Sequence, residues 1–295
     1  MALNLRIEHL VVIGVGLIGG SLVRALRRAG VVGRVSGIGR SRENLELAVE
    51  QGVIDDYAHA FGTEHRAADM VVVAVPMGGY AEVFAQLAEH MGPDSVLTDA
   101  GSTKQHALDM AARYLSDTTR FVPAHPIAGT EQSGVGASFA SLYDHHWCIL
   151  TPGADTDAEA LKKVEALWQT AGAKVAVMDA ATHDDLLAGV SHLPHMAAFA
   201  LVNAVRRSAG VHEPLKFAAG GFRDFTRIAS SSPEMWRDIV LYNRDAMLQK
   251  IDAMQHELST LRRAVQAGDG ETLLKEFQEA KAARDAWLAE KEKES

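Results

Sequence analysis

The stretch AHPIAGTEQSG at 124–134 sets a titratable ring, His125, directly before a proline in a run of small residues with no charge until Glu131. An unperturbed imidazole has a pKa of about 6.5, so the neutral ring can take up a proton at working pH. The apolar residues 121–124 ahead of it read as a strand. His125 is therefore expected where a strand ends and a loop begins, the edge of an α/β sheet at which ligands bind. The alternative for this residue alone is a buried histidine capping a turn. A second pair of rings stands in SHLPH at 191–195, where His192 and His195 lie three apart on one helix face. They could serve as metal ligands or as helix packing. No Cys, Glu or Asp stands at a companion spacing, and Asp184-Asp185 lies about two turns away, so no metal is expected.

Such groups need a frame, and the first half of the chain supplies one. A short apolar strand at 9–13 runs into Gly14-Val15-Gly16-Leu17-Ile18-Gly19, and helical spacing follows over 21–29. This is G-x-G-x-x-G between a strand and a helix. The first glycine permits the tight turn, the second lets backbone N–H groups approach a pyrophosphate, and the third lets helix and strand pack closely. Further strands are expected at 34–39, 69–76, 95–99, 121–124, 147–151 and 174–178, with helices near 42–51, 79–91, 104–113 and 156–171. The unbroken apolar run DMVVVAVP at 69–76 suits a central parallel strand covered on both faces. The alternation predicts a doubly wound Rossmann-type sheet over residues 1–179 that binds a nicotinamide dinucleotide. Gly14, Gly16, Leu17, Ile18 and Gly19 are assigned to that cofactor, with Val75 and Pro76 at the end of the central strand.

After Asp179 the strand signals stop, and residues 180–295 read as an all-helical substrate and dimerisation domain. One long apolar helix covers 181–208, with Pro194 as a kink. Ser232-Pro233-Glu234 is a helix start, and the pattern then runs on for more than about 30 residues, longer than most helices of single domains. Ile251, Met254, Leu258, Leu261 and Val265 alternate steps of three and four, a coiled-coil-like seam. Asp269-Gly270 breaks it. A homodimer through these helices is expected.

The net charge of −9 and the absence of a basic run argue against nucleic acid or an anionic membrane as partner. The uncharged residues 10–23 are too few to span a bilayer and carry the patterned glycines. One cysteine, Cys148, excludes an internal disulfide and fits a reducing cytoplasm. It lies in an apolar stretch, as an inert core residue would. A β-hydroxyacid type of dehydrogenase would need a lysine on the first long helix after the sheet, and none occurs between Lys174 and Lys216.

GVGLIGGS at 14–21, TDAGSTK at 98–104, HPIAGTEQSG at 125–134, SHLPH at 191–195 and GGFRDFTRIASSSPEMW at 220–236 together resemble the prephenate and arogenate dehydrogenases of tyrosine biosynthesis. Order and spacing match over nearly the whole chain. The resemblance implies oxidation of a cyclohexadienol with loss of its ring carboxylate as CO₂ and hydride transfer to NAD(P). His125 would accept the hydroxyl proton, and Ser102 would bond near the hydroxyl and the nicotinamide. Arg227 would bind a substrate carboxylate through its forked guanidinium. Arg223, one helical turn before Arg227 and at a position where the resemblance implies lysine, is a second arginine candidate. His195 would lie near the substrate with Ser191 and, secondarily, His192. Glu131 either pairs with the ammonium of arogenate or holds the arginines. Asp224 and Trp236 are an ion-pair partner and a pocket wall, or structural residues. A fused mutase or ACT domain, present in some members, is not expected. The alternatives are another two-domain NAD(P)-dependent hydroxy-acid dehydrogenase and a non-catalytic dinucleotide sensor.

The second strand closes with GIGRSR at 37–42. An NAD-type site carries Asp or Glu about 20 residues past the glycines, where this chain has Gly39. Without that carboxylate, Arg40, Ser41 and Arg42 are expected to meet a 2′-phosphate, giving a preference for NADP with NAD still possible.

Overall fold

Valine and leucine runs form the middle of the sheet because both of its faces are covered. The computed structural model describes residues 5–208 and 214–294. In chain order come β1 (Ile7–Ile13), α1 (Leu17–Ala29), β2 (Val32–Ile38), α2 (Arg42–Glu50), β3 (Asp56–Ala58), β4 (Met70–Val73), α3 (Tyr80–His90), β5 (Val96–Asp99), α4 (Lys104–Tyr114) and β6 (Phe121–Val122). The strands lie in the order β3-β2-β1-β4-β5-β6, every pair parallel. Leu10, Val12, Val35 and Val72 turn to one face and pack with Leu22 and Leu26 of α1. Val11, Ile13, Val71 and Val73 turn to the other, with Phe84 and Leu87 of α3. Burying each such side chain contributes about 1.5–3 kcal/mol.

The strand order reverses between β1 and β4. At their carboxyl ends the chain leaves through the glycine turn on one side and through Ala74-Val75-Pro76 on the other, which opens a crevice. The short β3 was not expected from the sequence. Its three residues are all half-buried at the sheet edge, so they carry no apolar alternation.

The expected strand over 121–124 is divided. β6 ends at Val122 and pairs with β5, whereas β7 (Ala124–Pro126) joins a second, three-stranded sheet with β8 (Trp147–Leu150) and β9 (Lys174–Val177). β7 is antiparallel to β8, and β8 is parallel to β9. Pro123 sits at the division because it has no N–H for a ladder. Its carbonyl accepts from Thr151 N instead, at 2.9 Å. His125 therefore stands within a strand, opposite Ile149, and not in the loop after one. The helix α5 (Ala158–Thr170) follows β8 and buries Val164, Leu167 and Trp168 in the first core. Cys148 is fully buried in β8, and burial pushes its thiol pKa well up.

The long helical run begins as α6 (Ala180–Leu187), passes through a π-helical turn (Ala188–His192) and continues as α7 (Leu193–Ser208). The π-helical turn lies just before Pro194, whose ring cannot donate to the carbonyl four residues back, and the wider turn accommodates the missing bond. Then come α8 (Gly220–Thr226), α9 (Pro233–Tyr242), α10 (Arg244–Ala267) and α11 (Gly270–Glu294). Ser232 caps α9 through Met235 N at 3.3 Å. The run expected to continue from there is interrupted at Asn243, whose backbone leaves the helical region and whose side chain is engaged elsewhere. The chain divides into one unit through Ala246 and a second from Met247 onward. In the second unit Leu258 and Val265 of α10 and Leu274, Phe277 and Trp287 of α11 are exposed.

Candidate active site

The crevice beside β1 and β4 widens into a cleft of about 680 Å³. Gly16, Leu17 and Ile18 at the start of α1 line it, as do Val75 and Pro76 after β4. Gly14 has φ +100°, and a Cβ there would stand 2.4 Å from the Ala74 carbonyl oxygen. A Cβ on Gly19 would stand 2.3 Å from the Gly14 oxygen. These two glycines shape the turn from behind. Gly16 is different: a Cβ there would meet nothing within 4 Å, and no side chain caps the first turn of α1. Free backbone N–H groups facing open space suit a pyrophosphate, so the residues present fit a dinucleotide.

Arg40, Ser41 and Arg42 lie outside this cleft, at the head of α2. Arg42 donates to Glu46 one turn on, at 2.7 Å, and the Ser41 hydroxyl caps α2 by accepting from Asn44 N at 3.2 Å. Arg40 is exposed.

Ser102 and His125 also line the cleft. Their relative position is fixed by a buried cluster beneath them. Lys104 and Asp99 are both fully buried, 2.6 Å apart. Lys104 Nζ also donates to the Ala124 carbonyl at 2.6 Å, and Asp99 accepts from Tyr80 OH at 2.6 Å, Gly101 N at 3.0 Å and Ala124 N at 2.9 Å. The ends of β5, α4 and β7 are thus tied to one carboxylate. Ser102 is spared from capping α4, the other role it could have had. That cap is Asp184 of α6, which accepts from Lys104 N at 2.8 Å and Gln105 N at 3.0 Å.

Behind His125 stands a ring the sequence did not single out. His125 Nδ1 is 2.9 Å from His183 Nε2, and His183 Nδ1 is 2.7 Å from Asp184 Oδ1. Burial above all, with the nearby His183 and the buried Lys104 ammonium disfavouring a second positive charge, pushes the His125 pKa well below its ordinary value. Burial lowers His192 to about 4 and lowers His195 as well. These rings are neutral at neutral pH. The only signal for His183 was its place beside Asp184, one residue short of the pair already noted.

Glu131, Ser191, His192, His195, Arg227 and Trp236 line the same cleft. The π-helical turn and the start of α7 carry the three polar residues 191, 192 and 195. His195 Nδ1 donates to the Ser191 carbonyl at 3.0 Å, and its ring stacks on Trp236 with centroids 3.6 Å apart. Trp236 therefore walls the cleft of its own chain. Asn243 donates to the Asp184 carbonyl at 2.8 Å and lies 3.3 Å from His192 Nδ1. Its sequence signal was only a polar residue inside an amphipathic helix. Arg227 is bonded to Glu131 and remains two-thirds exposed. No other Arg or Lys lines the cleft among the described residues. Arg223 does not line it: the side chain is in solvent, 3.5 Å from its neighbour Asp224. Four residues would put both arginines on one face of a continuing helix, but α8 stops at Thr226 and Arg227 opens a tighter 3₁₀ turn. Among the described residues no three His, Cys, Asp or Glu side chains are grouped to hold a metal.

The family described as prephenate dehydrogenase, nucleotide-binding domain, matches residues 22–177, and prephenate dehydrogenase, dimerization domain, matches residues 179–279. A prephenate dehydrogenase of Bacillus subtilis is 38% identical over 286 residues, 96% of this chain and 77% of that protein. A cyclohexadienyl dehydrogenase of Zymomonas mobilis is 35% identical over 282 residues, 94% of this chain and 95% of that one. The crystal structure of prephenate dehydrogenase from Aquifex aeolicus, in complex with hydroxyphenyl propionate and NAD+, superposes with a TM-score of 0.90 at 35% identity, covering 96% of this chain and 99% of that one.

Proposed function

The chain belongs to the prephenate dehydrogenase family, and on that premise we propose that it oxidatively decarboxylates both prephenate and arogenate, with His125 as the proton acceptor. The observation that carries this reading is the meeting of Ser102, His125 and Arg227 in the one cleft that also holds the glycine turn. A nicotinamide dinucleotide bound over that turn supplies the hydride acceptor. Neutral His125 takes the proton of the substrate hydroxyl as the carbinol carbon gives up its hydride. The bond to the ring carboxylate breaks, its electron pair enters the ring, and CO₂ leaves as the ring becomes aromatic. Ser102 orients the hydroxyl. His195, stacked on Trp236, and Ser191 flank the ring, and Arg227 takes a carboxylate. The products are 4-hydroxyphenylpyruvate from prephenate and tyrosine from arogenate. The assay follows nicotinamide reduction with each substrate in turn. Turnover of neither would overturn the reading.

Glu131 bears on substrate choice. Bonded to Arg227, it serves to hold the guanidinium and leaves room for either a keto or an amino substrate. Arg227→Ala is expected to raise KM roughly 10- to 150-fold, equivalent to the about 1.5–3 kcal/mol of a charge-assisted hydrogen bond. The kcat should change less. An unchanged KM in a folded variant would remove Arg227 from substrate binding.

For the cofactor we favour NADP over NAD. Arg42 and Ser41 are engaged within α2, so Arg40 is the residue with charge to offer a 2′-phosphate. Arg40→Ala should weaken NADP far more than NAD, because only NADP has the phosphate to lose. The measurement is kcat/KM for both cofactors in wild type and variant. A wild type that prefers NAD, or a variant that loses both equally, would refute this.

The exposed apolar residues of α10 and α11 favour a homodimer through these helices, as the dimerization-domain match suggests. The run Ala180–Arg207 is long and apolar enough to cross a membrane by composition. It nevertheless carries buried His183, Asp184 and His192 into the cleft region, which favours a soluble, cytoplasmic enzyme.

A further inference from the structure

An imidazole that serves as base must present a bare nitrogen, and His125 has two nitrogens to choose between. We propose that His183, anchored by Asp184, is the positioning residue that keeps His125 protonated on Nδ1 and bare on Nε2, so that the Nε2 lone pair is left for the substrate hydroxyl. This rests on the reading of His125 as the base.

The assignment runs outward from Asp184. Its carboxyl accepts two backbone N–H groups of α4, from Lys104 and Gln105. Burial raises its pKa, but hydrogen bonds from His183 and those two amides outweigh burial and hold it below the ordinary carboxylate value. An ionised carboxylate can only accept. The 2.7 Å contact must therefore be donated by His183 Nδ1–H. The His183 side chain is fully buried, and burial lowers its pKa against the opposing bond to Asp184. The neutral ring has one proton and commits it to Asp184, so its Nε2 can only accept. The 2.9 Å contact between the rings thus runs from His125 Nδ1–H to His183 Nε2. His125 is neutral as well, and Nε2 is left without a proton.

The reverse arrangement has a recognisable form. A cationic His183 would donate from Nε2 to His125 Nδ1, and the single proton of His125 would then turn toward the cleft as a donor. Burial of His183 disfavours that state. The rings also meet edge to face, with centroids 5.1 Å apart at 61°, so the pair is held by one directed bond and not by stacking. Asn243 clamps the carbonyl of Asp184 at 2.8 Å, which steadies the anchor from α9's end. Once His125 has accepted a proton on Nε2, the Nδ1–H bond to His183 persists, and the buried carboxylate beyond it offsets part of the new charge. His183 does not itself touch the reacting atoms.

The test uses full-length enzyme labelled with ¹⁵N-histidine and carrying bound dinucleotide. His125 is assigned by the signal lost in His125→Asn. The wild type should show His125 protonated at Nδ1 and unprotonated at Nε2. In His183→Phe, which keeps a ring but offers no acceptor, both tautomers should appear. There kcat should fall about 10- to 100-fold, as for other partners that orient a functional histidine, with KM little changed. His183→Gln, whose side-chain oxygen can accept the same N–H, should recover much of the loss. A wild-type His125 protonated on Nε2 would overturn the proposal. So would a His183→Phe enzyme with undiminished kcat, or one whose defect is confined to KM. Should His183→Phe fail to fold, the wild-type spectrum still decides. Should the wild type turn over neither substrate, the functional reading fails while the spectrum continues to judge the His183 pair.

Discussion

Replacing His125 with Asn is expected to lower kcat by about 10²–10⁴ while dinucleotide binding persists. At ~1.4 kcal/mol per factor of ten, this is the largest single effect on the reaction to be expected from the cleft. Asn retains a polar group that can still bond His183, so the fold should tolerate the change, but it has no nitrogen that accepts a proton. The glycine turn, which offers a dinucleotide backbone N–H groups, is untouched by this change. The wild-type pH profile follows from the same residue. As the proposed base, His125 works when neutral, and burial lowers its pKa from 6.5, so the acid limb of kcat/KM should fall below that pH. Stopped-flow or steady-state nicotinamide reduction, with dinucleotide binding followed by fluorescence, tests both points. Turnover within a few-fold of wild type would remove His125 from the mechanism, and an acid limb above the free imidazole value would contradict its burial.

Lys104→Met should have the largest effect on stability, a loss of about 3–5 kcal/mol, because it leaves a buried carboxylate without its counter-charge. Asp99 would keep its bonds from Tyr80, Gly101 and Ala124, yet the Lys104 ammonium is fully buried against it and has no solvent to replace it. Adding Asp99→Asn should recover part of the loss, since it removes the stranded charge. Denaturant unfolding of the single and double variants gives both numbers. A loss no greater than the ~0.2–1 kcal/mol of an exposed pair would show that this cluster is not what holds β5, α4 and β7 together. The Ala124 carbonyl would also lose the Lys104 donor, so His125, the next residue, should be less well placed and kcat should fall in variants that still fold.

Much of the first half was legible because its signals are local. The glycine turn sits between strand and helix, and the valines of 71–73 need no partner to be recognised as doubly buried. The cap at Ser232 and the break near Asp269 were equally plain, since each lies within a few residues of what it controls. The break at Asn243 was not, for its cause lies 59 residues away at Asp184. The division at Pro123 was not either, because a four-residue apolar run does not say which sheet each half will join. His183 was not legible because its one local signal, the adjacent Asp184, does not reveal the partner that gives it meaning, His125, 58 residues back in the chain. Arg223 was drawn in by helical spacing from Arg227, and the helix ended one residue too soon.

The sequence by itself determined the fold class, the family and which side chains have chemistry to offer, because glycine geometry, burial periodicity and motif order are written in neighbouring residues. Only the tertiary structure decided which of those side chains face one another. Hydrogen bonds of about 3 Å between residues far apart in the chain follow from how strands and helices pack, and no local pattern encodes them. It is that packing which buries His125, turns Asp184 onto both His183 and the start of α4, and leaves Arg227 in the cleft while Arg223 points to water.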